Sequence, residues 1–141
     1  EMCIRDRYRC VARKGHPLIK NNKITMENFL AADHVFISID GISNSPVDLT
    51  LAKMGKKRNK MVSVNYYQAA IEIVRQTDCI ISLSSNVSEL VNNTNEFDVV
   101  SLPFKSDEFS VKLIWNKRST DDPANAWMRS ILFGLKDEVF L

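Results

Sequence analysis

Reactive chemistry in this 141-residue chain would have to start from its two histidines, His16 and His34, or its three cysteines, Cys3, Cys10 and Cys79. Neither histidine stands beside a Ser, Cys or Asp in a nucleophile motif. There is no His-x-x-x-His metal spacing, no phosphate-binding Gly loop and no paired-Gly dinucleotide fingerprint. No catalytic residue, metal ligand or cofactor is therefore expected. His16 precedes Pro17 in a turn and reads as a surface or hinge residue, while His34 opens a strand and reads as a boundary residue rather than a ligand. The cysteines are odd in number and lack metal spacing. Cys10 and Cys79 fall inside apolar runs, the pattern of small core hydrophobes in a reducing compartment.

Two other segments have the composition of a binding surface. One is the loop from Ser38 to Ser45, with Gly41, Ile42 and Ser43 at its centre. The other is Ser63-Val64-Asn65-Tyr66-Tyr67-Gln68, where an amide and two phenols lead into a helix. A small-molecule pocket needs apolar walls and a few fixed polar groups, and Asn65, Tyr66, Tyr67 and Gln68 supply both. Adjacent helical residues point about 100° apart, so at most one of the two tyrosines is expected to face a ligand.

The elements that must carry these residues alternate. A strand at 8–14 ends in Lys14-Gly15-His16-Pro17, where Gly and Pro impose a turn. Thr25 offers an N-cap to a short helix with Glu27 in its first turn and Met26, Phe29 and Leu30 on one face. A strand at 34–39 follows, then a helix capped by Ser45 with Pro46 at its first position and Val47, Leu51 and Met54 inward, ending at Gly55. A strand at 61–64, a helix at 66–76 with Ala70, Ile73 and Val74 inward, and a strand at 79–83 repeat the cycle. A short helix at 87–92, a strand at 98–102 and one more strand at 109–115 come next. Asp122 and Pro123 then open a last helix bearing Trp127, Ile131 and Leu132. Such alternation predicts an α/β fold with a mainly parallel sheet, whose ligand crevice lies at the carboxyl ends of the strands. Residues 1–7 fit no element and read as a non-native leader resembling translated adapter DNA.

Composition bounds the function classes. With 45% apolar and 26% charged residues, the chain is ordinary for one soluble domain, and a net charge of +2 is too weak for a nucleic-acid footprint. The run Lys53, Lys56, Lys57, Arg58 and Lys60 reads as a solvated turn rather than a phosphate-binding patch. No segment approaches the roughly 18 apolar residues of a membrane span and no export signal is visible, which points to the cytoplasm. The sequons at Asn86 and Asn92 then carry no meaning.

The segments Tyr8-Arg9-Cys10-Val11-Ala12-Arg13-Lys14-Gly15-His16-Pro17-Leu18 and Ile24-Thr25-Met26-Glu27-Asn28-Phe29-Leu30 resemble the effector domain of LysR-type transcriptional regulators, where that domain crosses from its first subdomain to its second. Leu113-Ile114-Trp115-Asn116-Lys117-Arg118, Asp122-Pro123-Ala124 and Trp127-Met128-Arg129 resemble its closing strand and helix, above all in nodulation-regulator-like members. The likeness runs from about residue 8 to 135. Ser84-Ser85, where many members have Pro, and Thr77-Asp78-Cys79, where many have a Gly turn, depart from the pattern.

The resemblance implies a periplasmic-binding-protein-like fold of type II. Residues 8–17 would leave the first subdomain, 18–103 would form a nearly complete second one, and 104–141 would return to the first, with His16, Pro17 and Pro103 as hinge residues. It implies a small-molecule effector, with aromatics compatible with the tyrosines, held by Ser38, Gly41, Ile42, Ser43, Asn65, Tyr66, Tyr67 and Gln68. It also implies a parent protein that dimerises or tetramerises and reaches promoter DNA through an N-terminal helix-turn-helix missing from this fragment. The rivals are a transporter's solute-binding protein, which shares the fold, and an enzyme on a related α/β scaffold. The last strand and helix, without the half-subdomain they would pack on, are expected to expose an apolar face.

Overall fold

The computed structural model describes residues 2–38 and 44–139. Its chain divides into two compact units, residues 1–6 with 108–141, and residues 7–107.

In the larger unit, alternation of side chains along β2 (Tyr8–Arg13) and β5 (Ile80–Ser84) sets the architecture, because successive residues of a strand face opposite sides of a sheet. Cys10, Ala12 and Ile80 face one side and pack with Phe29 of α1 (Met26–Ala31) and with Val47 and Leu51 of α2 (Pro46–Lys53). Val11, Ile81 and Leu83 face the other and pack with Ala70 and Val74 of α3 (Tyr67–Gln76) and with Val87 and Val91 of α4 (Ser85–Val91). The result is a sheet with helices on both faces. Its order is β4-β3-β5-β2-β6, with β3 (Asp33–Ile37), β4 (Asn59–Val64) and β6 (Phe97–Ser101) completing it. β3 pairs in parallel with β4 and β5, whereas β2 runs antiparallel to both its neighbours, β5 and β6. Four strands therefore share one direction and β2 alone opposes them, in keeping with the expected mainly parallel sheet.

Both buried cysteines are free thiols among these core side chains, and burial pushes the Cys10 thiol up to about 12. At neutral pH it is an inert hydrophobe, not a nucleophile.

The smaller unit contains β1 (Met2–Asp6), β7 (Phe109–Leu113) and α5 (Pro123–Val139). β1 pairs antiparallel with β7, from Met2 opposite Leu113 to Asp6 opposite Phe109. This corrects the expectation that residues 1–7 belong to no element: the partner strand lies over a hundred residues away, where no local pattern announces it. Asp122 accepts the Asn125 N–H at 2.8 Å at the start of α5, as its cap-and-proline signature predicts. The expected apolar face is exposed, with Trp127 63% and Ile114 83% accessible and Met128, Ile131, Leu132 and Phe133 also open. No helix among the described residues is long and apolar enough to cross a membrane.

The unit boundaries also relocate the crossing points. They fall between Asp6 and Arg7 and between Asp107 and Glu108, so His16, Pro17 and Pro103 lie inside the larger unit. His16 is buried rather than at the surface. Its Nε2–H donates to the Asp78 carbonyl at 2.9 Å, and its Nδ1 accepts the Leu18 N–H at 3.1 Å. The ring thereby ties the turn after β2 to the start of β5.

Candidate functional site

Three parallel strands deliver their carboxyl ends to one edge of the sheet. Ile37 of β3 stands beside Val64 of β4, and the ladder continues one residue further, the Ser38 N–H donating to the Val64 carbonyl at 3.0 Å. β5 follows the same direction and ends at Ser84, which is opposite Tyr8 of β2. Arg9 Nη1 donates to Ser101 Oγ at 2.6 Å on the same edge. Ser38, Asn65, Tyr66 and Ser84 are thus brought to one side of the molecule, at the place where parallel α/β sheets hold ligands. Sequence reasoning missed Ser84, Arg9 and Ser101 there, because the antiparallel insertion of β2 that recruits Arg9 and Ser101 is not readable from local pattern.

The helices that begin at this edge differ in their caps. Ser45 Oγ accepts the Asp48 N–H and the Asp48 carboxylate accepts the Ser45 N–H, a capping box at the start of α2. Ser84 Oγ accepts the Val87 N–H at the start of α4. At α3 the N-cap is Tyr66, whose side chain makes no capping hydrogen bond. A phenol cannot fold back onto its own helix as a short Ser or Asp side chain does, so the first amides of α3 have no side-chain acceptor. An uncapped helix start carries partial positive charge and favours a carboxylate or other anion. Tyr66 and Tyr67 are 70% and 51% exposed, and Asn65 and Gln68 are exposed beside them. Both tyrosines are open to solvent. Ser38 is buried, and Gly41, Ile42 and Ser43 lie outside the described residues.

A polar cluster that the sequence concealed joins His34, near the start of β3, and Arg58, just before β4, to the start of α2. Arg58, expected in a solvated basic turn, is buried, and its side chain is only 2% accessible. Its Nε donates to Asp48 Oδ1 at 2.7 Å and its Nη2 to Asp48 Oδ2 at 3.2 Å and to Ser45 Oγ at 3.1 Å. Nη1 donates to His34 Nδ1 at 3.3 Å. His34 is fully buried, not a boundary residue; its Nε2–H donates to the Phe29 carbonyl at 2.7 Å, which fixes the neutral tautomer. Burial first, and the Arg58 charge second, lower the His34 pKa to about 4. Burial alone would raise the Asp48 carboxyl, but the hydrogen bond and charge of Arg58 and the hydrogen bonds from Ser45 outweigh it and hold the pKa at about 2. The cluster is internally satisfied and locks α2 to β3. It presents no nucleophile and no group poised near neutral pH, so it is built for position rather than turnover.

A family model described as the LysR substrate binding domain matches residues 1–134. The chain belongs to the LysR substrate-binding domain family. As such it is an effector-binding domain of the LysR type, with that family's periplasmic-binding-protein-like fold. Among curated relatives, the HTH-type transcriptional activator NahR of Pseudomonas putida is 24% identical over 132 residues, covering 94% of this chain and 44% of that protein. The regulatory domain of MexT, a transcriptional activator in Pseudomonas aeruginosa, superposes with a TM-score of 0.78 at 22% identity, covering 91% of this chain and 62% of that one. The effector-binding domain of QuiR in complex with shikimate gives 0.71 at 16% identity, covering 98% and 65%. The LysR-domain chain spans less than half the length of the curated relatives it matches. Those relatives are transcriptional regulators, not enzymes or transporter components.

Proposed function

We propose that this chain is the sensing part of a cytoplasmic, DNA-binding transcriptional regulator that takes a small organic effector at the strand-end edge of residues 7–107. The observation that carries this reading is the uncapped start of α3, next to Ser38 and flanked by exposed Asn65, Tyr66, Tyr67 and Gln68. Unsatisfied amides suit an acidic group on the effector, and the tyrosine rings suit a flat or cyclic body. That QuiR is held in complex with shikimate, a cyclic carboxylate, supports this class of ligand. Gly41, Ile42 and Ser43, which lie outside the described residues, are included in this proposed effector site.

The effector acts by binding one arrangement of the domain better than another, and it shifts that equilibrium by no more than its differential affinity. In the parent protein the shift passes through a homodimer or homotetramer to a helix-turn-helix on promoter DNA. Reading the coding sequence upstream of residue 1 tests this class directly. A helix-turn-helix followed by a linker helix is expected, and an export signal in its place would make the protein a transporter's solute-binding component.

A further inference from the structure

On the outer side of the larger unit, α2 and the edge strand β4 enclose a groove of about 260 Å³ lined by Asn44, Asp48, Leu49, Ala52, Lys56, Lys57, Arg58 and Lys60. Four cations meet one carboxylate there. That carboxylate is already engaged: Asp48 is gripped by Arg58 through both its oxygens and stays ionised down to about pH 2. Lys60 sits 3.7 Å from Asp48, donates to Asn44 Oδ1 at 3.3 Å and lies 4.7 Å from the centre of the Phe36 ring. Lys56 and Lys57 have no ion-pair partner among the described residues. Neither side chain is required to complete α2: Lys53 occupies the last turn, and Gly55, in a left-handed conformation, ends the helix with the Lys56 backbone N–H donating to the Leu51 carbonyl at 2.9 Å. The groove also has an apolar wall, because Leu49 is 54% exposed although it sits on a helix that buries Val47 and Leu51.

We propose that this groove is a second ligand site, for a small organic carboxylate whose head sits between Lys56, Lys57 and Lys60 and whose apolar body lies on Leu49 and Ala52. It is separate from the start of α3, and its lining residues Asn44 and Asp48 belong to the start of α2. A concave wall with apolar surface selects a small amphiphilic anion over a nucleic-acid backbone, which would need cations spread along a convex face.

The test is a two-dimensional ¹⁵N–¹H titration of the whole chain with hexanoate at constant ionic strength, alongside 1-hexanol and a short DNA duplex, and the same titrations on Lys56→Ala/Lys57→Ala. Both lysines are exposed, so the variant keeps the fold. Hexanoate is expected to shift the amides of Leu49, Ala52 and Lys56–Lys60 saturably. Its affinity should fall about tenfold in the double variant, the scale of one lost charge-assisted hydrogen bond. Equal shifts with 1-hexanol, unchanged affinity in the variant, shifts that do not saturate, or the same residues responding to DNA and not to hexanoate would each overturn the proposal.

Discussion

The starts of α2 and α3 stand at the same edge of the sheet and are built in opposite ways. At α2 the Ser45 and Asp48 capping box is reinforced from beneath by Arg58, and Arg58 is held by His34, so every polar group finds a partner inside the protein. At α3 the cap is an exposed tyrosine whose side chain makes no capping hydrogen bond. A helix start saturated by its own chain has nothing to offer a ligand, whereas one left open costs stability and offers hydrogen bonds. The polar residues of the chain fix α2, while the start of α3, where the effector is proposed to bind, is left without a side-chain cap.

Removing Arg58 attacks the closed side of this contrast hardest. Arg58→Met leaves Asp48 and His34 buried without their partner, and unfolding by urea should show a loss of about 3–5 kcal/mol. A loss under 1 kcal/mol would mean that the cluster is not the anchor of α2. The next effect is pH-dependent. His34 is held neutral in the folded chain with a pKa of about 4, against 6.5 when unfolded. Below pH 6.5 the unfolded chain takes up the proton and the folded chain does not. Stability is therefore complete above 6.5 and lost as pH falls toward 4, by about 3 kcal/mol in total. His34→Gln keeps a donor for Phe29 and an acceptor for Arg58, and should flatten that limb of the stability profile. Asp48 acts lower: its folded pKa of about 2 against 3.8 gives stability that disappears only as pH falls through that window.

The smallest effects come from exchanging the caps. Ser45→Ala should destabilise by about 1 kcal/mol, and Tyr66→Asp should stabilise by a similar amount, both read from thermal or denaturant unfolding. In Tyr66→Asp the new carboxylate would occupy the α3 amides that the effector is proposed to use, so greater stability should come with weaker binding. A variant that is both more stable and undiminished in binding would break the comparison.

How much of this was legible depends on how local each signal is. Ser45-Pro46 and Thr25 announced their helices because a cap and the amides it satisfies lie within three residues. The strand and helix order was readable for the same reason, from periodicity within short windows. Asn65 to Gln68 stood out because a composition of amide and phenols at a strand-to-helix junction has few structural uses. Arg58 was hidden inside a basic run: nothing in Lys56-Lys57-Arg58 distinguishes the side chain that turns inward, since its partners His34, Ser45 and Asp48 are 24, 13 and 10 residues away. The pairing of β1 with β7 and the reversed direction of β2 were hidden likewise, because both are set by partners distant in sequence. The apolar stripe of α5 was readable as a pattern, and Trp127, Met128, Ile131 and Leu132 on it are exposed.

The most direct measurement of the central claim is a ¹⁵N–¹H titration of this chain with a panel of small cyclic and aromatic carboxylates that includes shikimate. The account predicts that at least one of them shifts the amides of Ser38 and Asn65–Ala69 saturably, and that Tyr66→Asp weakens it. It is contradicted if no member of the panel perturbs those amides, or if the binding that occurs is indifferent to the cap on α3.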